Sequence, residues 1–116
     1  MPYTKNWNIP LECINKEELL ERINSRASYV LVDTIGTYDG NKYKIKSATT
    51  IDYPHVIDRR KELLPFDEII IYCHSKDCVA SKKVAAALIS LNFHKVKVYE
   101  GGITEWMQNN LPVEEE

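Results

Sequence analysis

Apolar and polar residues change period several times along this chain, and the changes mark its elements. "YVLVD" (Tyr29–Asp33) and "EIIIYC" (residues 68–73) are near-continuous apolar runs rich in β-branched residues, the pattern of strands buried on both faces. "KVKVYE" (residues 95–100) alternates and predicts a third strand, and "ATTIDY" (residues 48–53) a fourth, stopped by Pro54. Helical spacing appears elsewhere. Asn15 with Glu18 three residues on fits a capping box opening a helix to about Ile23, with Leu19, Leu20 and Ile23 as its apolar stripe. "HVIDRRKELL" (residues 55–64) predicts a short helix ended by Pro65. "ASKKVAAALISL" (residues 80–91) is rich in helix formers, and "ITEWMQNN" predicts a last amphipathic helix after the Gly101-Gly102 break. Asp39-Gly40 signals a turn, and the terminal "EEE" predicts a solvated tail.

Strands alternating with helices predict an α/β fold: one domain over residues 1–116, with a central, mainly parallel sheet flanked by helices and right-handed crossovers. In such sheets the ligand crevice lies outside the carboxyl ends of the strands. Cys73 stands at such an end, on the most apolar strand.

Composition narrows the functional classes. With 28% charged residues and a net charge of −2, nothing favours nucleic acid or an anionic membrane as a partner. No stretch approaches the roughly 18 apolar residues of a membrane span. The beginning "MPYTKNWNIPLE" has no apolar secretory core, so a cytoplasmic protein with reduced cysteines is expected. Three cysteines, Cys13, Cys73 and Cys78, do not make a disulfide framework.

If residues 74–78 curl between strand and helix, their N–H groups form an anion nest around the Cys73 sulfur, next to a helix N-terminus. A helix terminus contributes about 0.3–1 kcal/mol, against about 1.4 kcal/mol per pKa unit. The dipole therefore leaves a thiol starting near about 8.5 mostly protonated at neutral pH. Direct N–H···S contacts, or the cations Lys76 and protonated His74, have to supply the remainder. The blander reading makes Cys73 a small buried hydrophobe, His74 a surface residue, Ser75 a turn residue and Lys76 a solubilising one.

The second half of the chain resembles the rhodanese homology domain. The likeness rests on Tyr72-Cys73 ending an apolar strand, the helical Ala85-Ala86-Ala87, the strand Val96–Tyr99, Gly101-Gly102, Trp106 and the closing Leu111-Pro112-Val113. The first half resembles it more weakly, from the strand-end Asp33 to "KIKSA" at residues 44–48. The resemblance implies a sulfurtransferase with Cys73 as nucleophile and Asp33 in support. Cys73 would take sulfane sulfur from a donor such as thiosulfate and pass the persulfide sulfur to a thiol or cyanide, with a protein acceptor also open. The persulfide would rest among the N–H groups of a loop formed by His74, Ser75, Lys76, Asp77, Cys78 and Val79. No cofactor and no metal are implied.

Cys73 and Cys78 bracket the loop in a C-x4-C spacing. Cys78 is a candidate resolving thiol for a persulfide or sulfenic acid on Cys73, or a packed residue at the helix start. A non-enzymatic or redox-sensing module built on this pair is the alternative function. Zinc on Cys73, His74 and Cys78 lacks a fourth ligand at the usual spacing. A Cys-x5-Arg phosphatase loop would need arginine where Val79 stands.

Overall fold

Five short parallel strands run through the centre of the molecule, in the spatial order Glu12–Cys13, Val96–Tyr99, Glu68–Tyr72, Tyr29–Asp33 and Thr49–Thr50. They belong to a computed structural model that describes residues 11–25, 27–35, 43–75 and 79–115. The elements follow as β1 (Glu12–Cys13), α1 (Lys16–Asn24), β2 (Tyr29–Asp33), β3 (Tyr43–Ile45), β4 (Thr49–Thr50), β5 (Glu68–Tyr72), α2 (Ala80–Ser90), β6 (Val96–Tyr99), α3 (Gly102–Gln108) and β7 (Val113–Glu115). Two 3₁₀ turns, Tyr53–His55 and Arg60–Leu63, join β4 to β5.

β5 lies in the middle because it is apolar on both faces. Ile69 and Ile71 turn to one side, where Val84, Ala85 and Leu88 of α2 cover them. Ile70 and Tyr72 turn to the other, against Leu19 of α1 and Ile103 and Trp106 of α3. Ile70, Ile71 and Tyr72 are fully buried. Each such aliphatic side chain contributes about 1.5–3 kcal/mol of transfer free energy. That is why the most apolar run takes the central place. α1 starts where expected: Asn15 Oδ1 accepts from Glu18 N–H at 2.8 Å, and Glu18 Oε1 accepts from Asn15 N–H at 3.1 Å.

Three expectations need correction. The strand at residues 48–53 is regular only over Thr49–Thr50. Ile51 and Tyr53 still donate to Asp33 and Thr34 carbonyls, both at 3.0 Å, but the chain is already bending towards Pro54. The helix at 55–64 is a succession of turns ending in the 3₁₀ turn Arg60–Leu63. Ten residues between two prolines are too few to sustain an α-helix without strong packing. Val56, Ile57 and Leu63 are nonetheless buried. Glu114 and Glu115 of the "EEE" run are exposed as expected but are not a loose tail: they belong to β7, which pairs antiparallel with β3, setting Glu114 opposite Lys44. Ser47 N–H adds a hydrogen bond to Glu114 Oε2 at 3.3 Å. The Asp39-Gly40 turn lies outside the described residues.

Candidate active site

Cys73 follows directly on β5, at the carboxyl edge of the sheet, and is 4% exposed. It is disulfide-bonded. His74 and Ser75 continue the chain, each half-buried. Lys76, Asp77 and Cys78 lie outside the described residues. Val79, half-exposed, is the N-cap of α2. Among the described residues no side-chain hydrogen bond caps this helix, and its first turn holds no acidic residue to offset the partial positive charge at that end. Ser81, in the same turn, is buried. The structure thus brings Cys73, His74, Ser75 and Val79 to one edge of the sheet.

Asp33 ends β2 and is register partner of Tyr72. It is fully buried. Its Oδ2 accepts from the Tyr72 hydroxyl at 2.9 Å and its Oδ1 from Ile35 N–H at 2.8 Å. The Tyr72 oxygen accepts from Ile45 N–H at 3.0 Å. Thr34 ties the same strand end from the backbone side: its N–H and its Oγ1 both donate to the Tyr72 carbonyl, at 3.2 and 2.9 Å. Asp33 therefore supports the residue before Cys73.

Two glycines shape the opposite side of the cysteine. Gly102 has φ +65°, and a Cβ placed there would lie 2.4 Å from the Cys73 carbonyl oxygen and 2.5 Å from that of His74. Ile103 N–H donates to the Cys73 carbonyl at 3.1 Å, and Thr104 N–H to the His74 carbonyl at 2.9 Å. A Cβ at Gly101 would instead meet the Glu105 carboxylate. That carboxylate accepts a 2.6 Å hydrogen bond from the Tyr99 hydroxyl, and burial together with this bond pushes the Tyr99 phenol well above its ordinary value. The sequence marked Gly101-Gly102 only as a break. A glycine pair between strand and helix signals a tight approach, but not to which backbone.

Cys13, at the end of β1, is exposed, and its thiol donates to Glu100 Oε1 at 3.2 Å. Partial burial and Glu100 push this thiol above its ordinary value. Glu100 also pairs with Lys82 at 3.0 Å, so that lysine already has an anion partner. Cys13, Glu100, Tyr99 and Glu105 line a cleft of about 310 Å³ at this edge. A second cleft, of about 340 Å³, is lined by Leu63, Phe66 and Phe93 at the amino ends of the strands, away from Cys73. Among the described residues no group of three or more His, Cys, Asp or Glu could hold a metal ion, and no helix is long and apolar enough to cross a membrane.

The model of the rhodanese-like domain matches residues 15–109. The chain belongs to the rhodanese-like domain family. Three solved structures illustrate its similarities. A full-length protein from Lactobacillus plantarum is 23% identical, with TM-score 0.80 over 90% of this chain and 88% of that one. The rhodanese-like domain of an Anabaena protein is 19% identical, with TM-score 0.76 over 90% and 80%. A Rhodopseudomonas palustris protein, described as of unknown function and a possible tyrosine phosphatase, is 18% identical, with TM-score 0.78 over 90% and 85%. No curated protein matches the chain. Likeness at these identities establishes the rhodanese-like fold, which the parallel sheet and its strand order share.

Proposed function

We propose that this rhodanese-like domain is a sulfurtransferase acting through a Cys73 persulfide. The observation that carries the reading is the place of Cys73: a buried cysteine directly after the central strand, in a family member, a few residues before the N-terminus of α2. The reduced Cys73 thiolate attacks the outer sulfur of thiosulfate. The S–S bond of the donor breaks and sulfite leaves with the electron pair. An acceptor thiolate or cyanide then attacks the outer persulfide sulfur, forming an acceptor persulfide or thiocyanate and returning the pair to Cys73. The loop amides from His74 to Val79 hold the anionic persulfide, and Lys76 recruits the donor. The donor and acceptor are small molecules or a protein thiol, met in the cytoplasm.

A second reading has its own observation. Cys73 is disulfide-bonded while Cys13 is free. On this reading Cys73 and Cys78 form a redox device. Peroxide oxidises the Cys73 thiolate to a sulfenic acid, and the Cys78 thiol condenses with it, releasing water. Two electrons from a dithiol reductant restore both thiols. Oxidation would then silence transfer.

Intact-mass analysis of the reduced protein after thiosulfate tests the proposal. The expected result is one added sulfur, retained in Cys78→Ser and lost in Cys73→Ser. Absence of any adduct, with turnover absent too and peroxide forming the internal disulfide, would replace the enzyme by the redox module.

A further inference from the structure

We infer that the first turn of α3, opened by Gly102, is a positioning device that orients the cysteine loop; this rests on the sulfurtransferase reading and deepens it. The carbonyls of Cys73 and His74 are both held by α3 N–H groups, at 3.1 and 2.9 Å. In a trans peptide the C=O and the following N–H point in opposite directions, and no cis bond occurs among the described residues. The N–H groups of His74 and Ser75 are therefore turned away from α3.

The two helices lie on opposite faces of the sheet: α3 packs with Ile70 and Tyr72, and α2 with Ile69 and Ile71. The two amides are thus aimed towards the face on which α2 begins. Cys73 opens this segment directly after Tyr72 and is buried. Successive N–H groups directed to one side form an anion nest, and α2's first turn adds to it.

This arrangement requires the backbones of residues 73, 74 and 102 to be nearly in contact. Any Cβ at 102 would overlap both carbonyl oxygens, and φ +65° already disfavours a side chain. Gly102 acts through the loop and does not touch a reacting atom, so it is a positioning residue.

Three variants of the full-length, reduced protein test this. Gly102→Ala displaces the two carbonyls. Thr104→Pro removes the N–H donor to the His74 carbonyl and restrains Ile103, the donor to the Cys73 carbonyl, at an exposed position in the first helical turn, where proline is tolerated. Gly101→Ala perturbs the Glu105–Tyr99 contact on the same helix but leaves the two carbonyl bonds in place. The readouts are the thiolate titration of Cys73, the rate of thiosulfate-driven persulfide formation and the melting temperature. Gly102→Ala and Thr104→Pro are expected to raise the Cys73 midpoint by about one unit and to slow persulfide formation about tenfold or more. Gly101→Ala should lower melting while leaving the midpoint unchanged.

If Gly102→Ala fails to fold, Thr104→Pro carries the test alone. A wild-type midpoint in a folded Gly102→Ala or Thr104→Pro overturns the inference, as does an equal rise in Gly101→Ala. The midpoint is measured on the thiol itself. A wild type that takes no sulfur from any donor therefore sinks the sulfurtransferase reading alone, while the thiol titration still decides the role of Gly102.

Discussion

The Tyr72 hydroxyl donates to Asp33 Oδ2 at 2.9 Å, across two neighbouring parallel strands and one residue before Cys73. The same oxygen accepts from Ile45 N–H at 3.0 Å, so one phenol ties together the ends of β2, β5 and β3. Both side chains are fully buried. Tyr72→Phe keeps the ring and deletes the hydroxyl, and with it the bonds that Asp33 and Ile45 make to it. The expected cost is about 1–3 kcal/mol, the usual result of removing one partner from buried polar groups. It should appear as a lower urea midpoint at unchanged slope, with faster amide exchange at Ile45. A midpoint equal to wild type would mean that the phenol does not secure this corner.

Trp106 sits at the heart of the other face. It is fully buried, stacks edge-on against Tyr99 at 5.8 Å and donates from Nε1 to the Pro112 carbonyl at 2.6 Å. Lys46 N–H donates to that carbonyl too, at 3.1 Å, so the indole also helps seat the segment leading into β7. Trp106→Ala should cost about 3–5 kcal/mol, as large aromatic deletions do. Trp106→Phe removes the hydrogen bond but only part of the volume, and should cost less than the alanine variant. Equal losses for the two in chemical denaturation would show that the hydrogen bond, and not the packing, dominates.

Much of this architecture was legible because its signals are local. β2, β5, β6, α2 and α3 each announce themselves through an apolar run or a stretch of helix formers, and a cysteine closing the most apolar strand marks the carboxyl edge. The capping box at Asn15 and Glu18 was readable for the same reason. Contacts made only in three dimensions were hidden. Asp33, Ile45 and Tyr72 are far apart in sequence, and no local pattern shows that one phenol joins them. Gly102 reads as a break whether or not its neighbour is the cysteine loop. Glu114 and Glu115 look like a solvated tail because their side chains are exposed. Their backbones make the ladder, and backbone pairing leaves no mark in residue type at an exposed edge.

That edge makes a prediction of its own. β7 pairs with β3 over three positions, from Ile45 opposite Val113 to Tyr43 opposite Glu115. Ile45 is fully buried under this ladder. Deleting residues 113–116 should destabilise the chain and expose Ile45, read as a lower urea midpoint and lost exchange protection at residues 43–45. Glu114→Lys sets a lysine opposite Lys44 and removes the acceptor used by Ser47. It should cost a few tenths of a kcal/mol, up to about 1. If removing residues 113–116 leaves the midpoint and the exchange at Ile45 untouched, the ladder contributes nothing to stability.

Glu68 supplies a pH test. It opens β5 and its side chain is 13% exposed, bonded by Arg22 Nε of α1 at 2.8 Å and paired with Lys97 Nζ of β6 at 2.8 Å. Burial alone pushes its carboxyl up, but the hydrogen bonds from Arg22 and Lys97 outweigh it and hold the group below the ordinary glutamate value of 4.5. The fold therefore favours the charged form. The stabilisation is complete above 4.5 and is lost as pH falls through the lower folded value. Glu68→Gln should cost about 1–2 kcal/mol at neutral pH, the range for hydrogen bonds to a charged group discounted for partial exposure. The gap between wild type and variant should close as the pH falls below the ordinary glutamate value and through the lower folded one, where wild type too loses its carboxylate. Denaturation series at several pH values measure that gap directly. A gap that stays constant from neutral to acid would mean that Glu68 supports β5 through packing and neutral hydrogen bonds, and that its two cations add nothing to the fold.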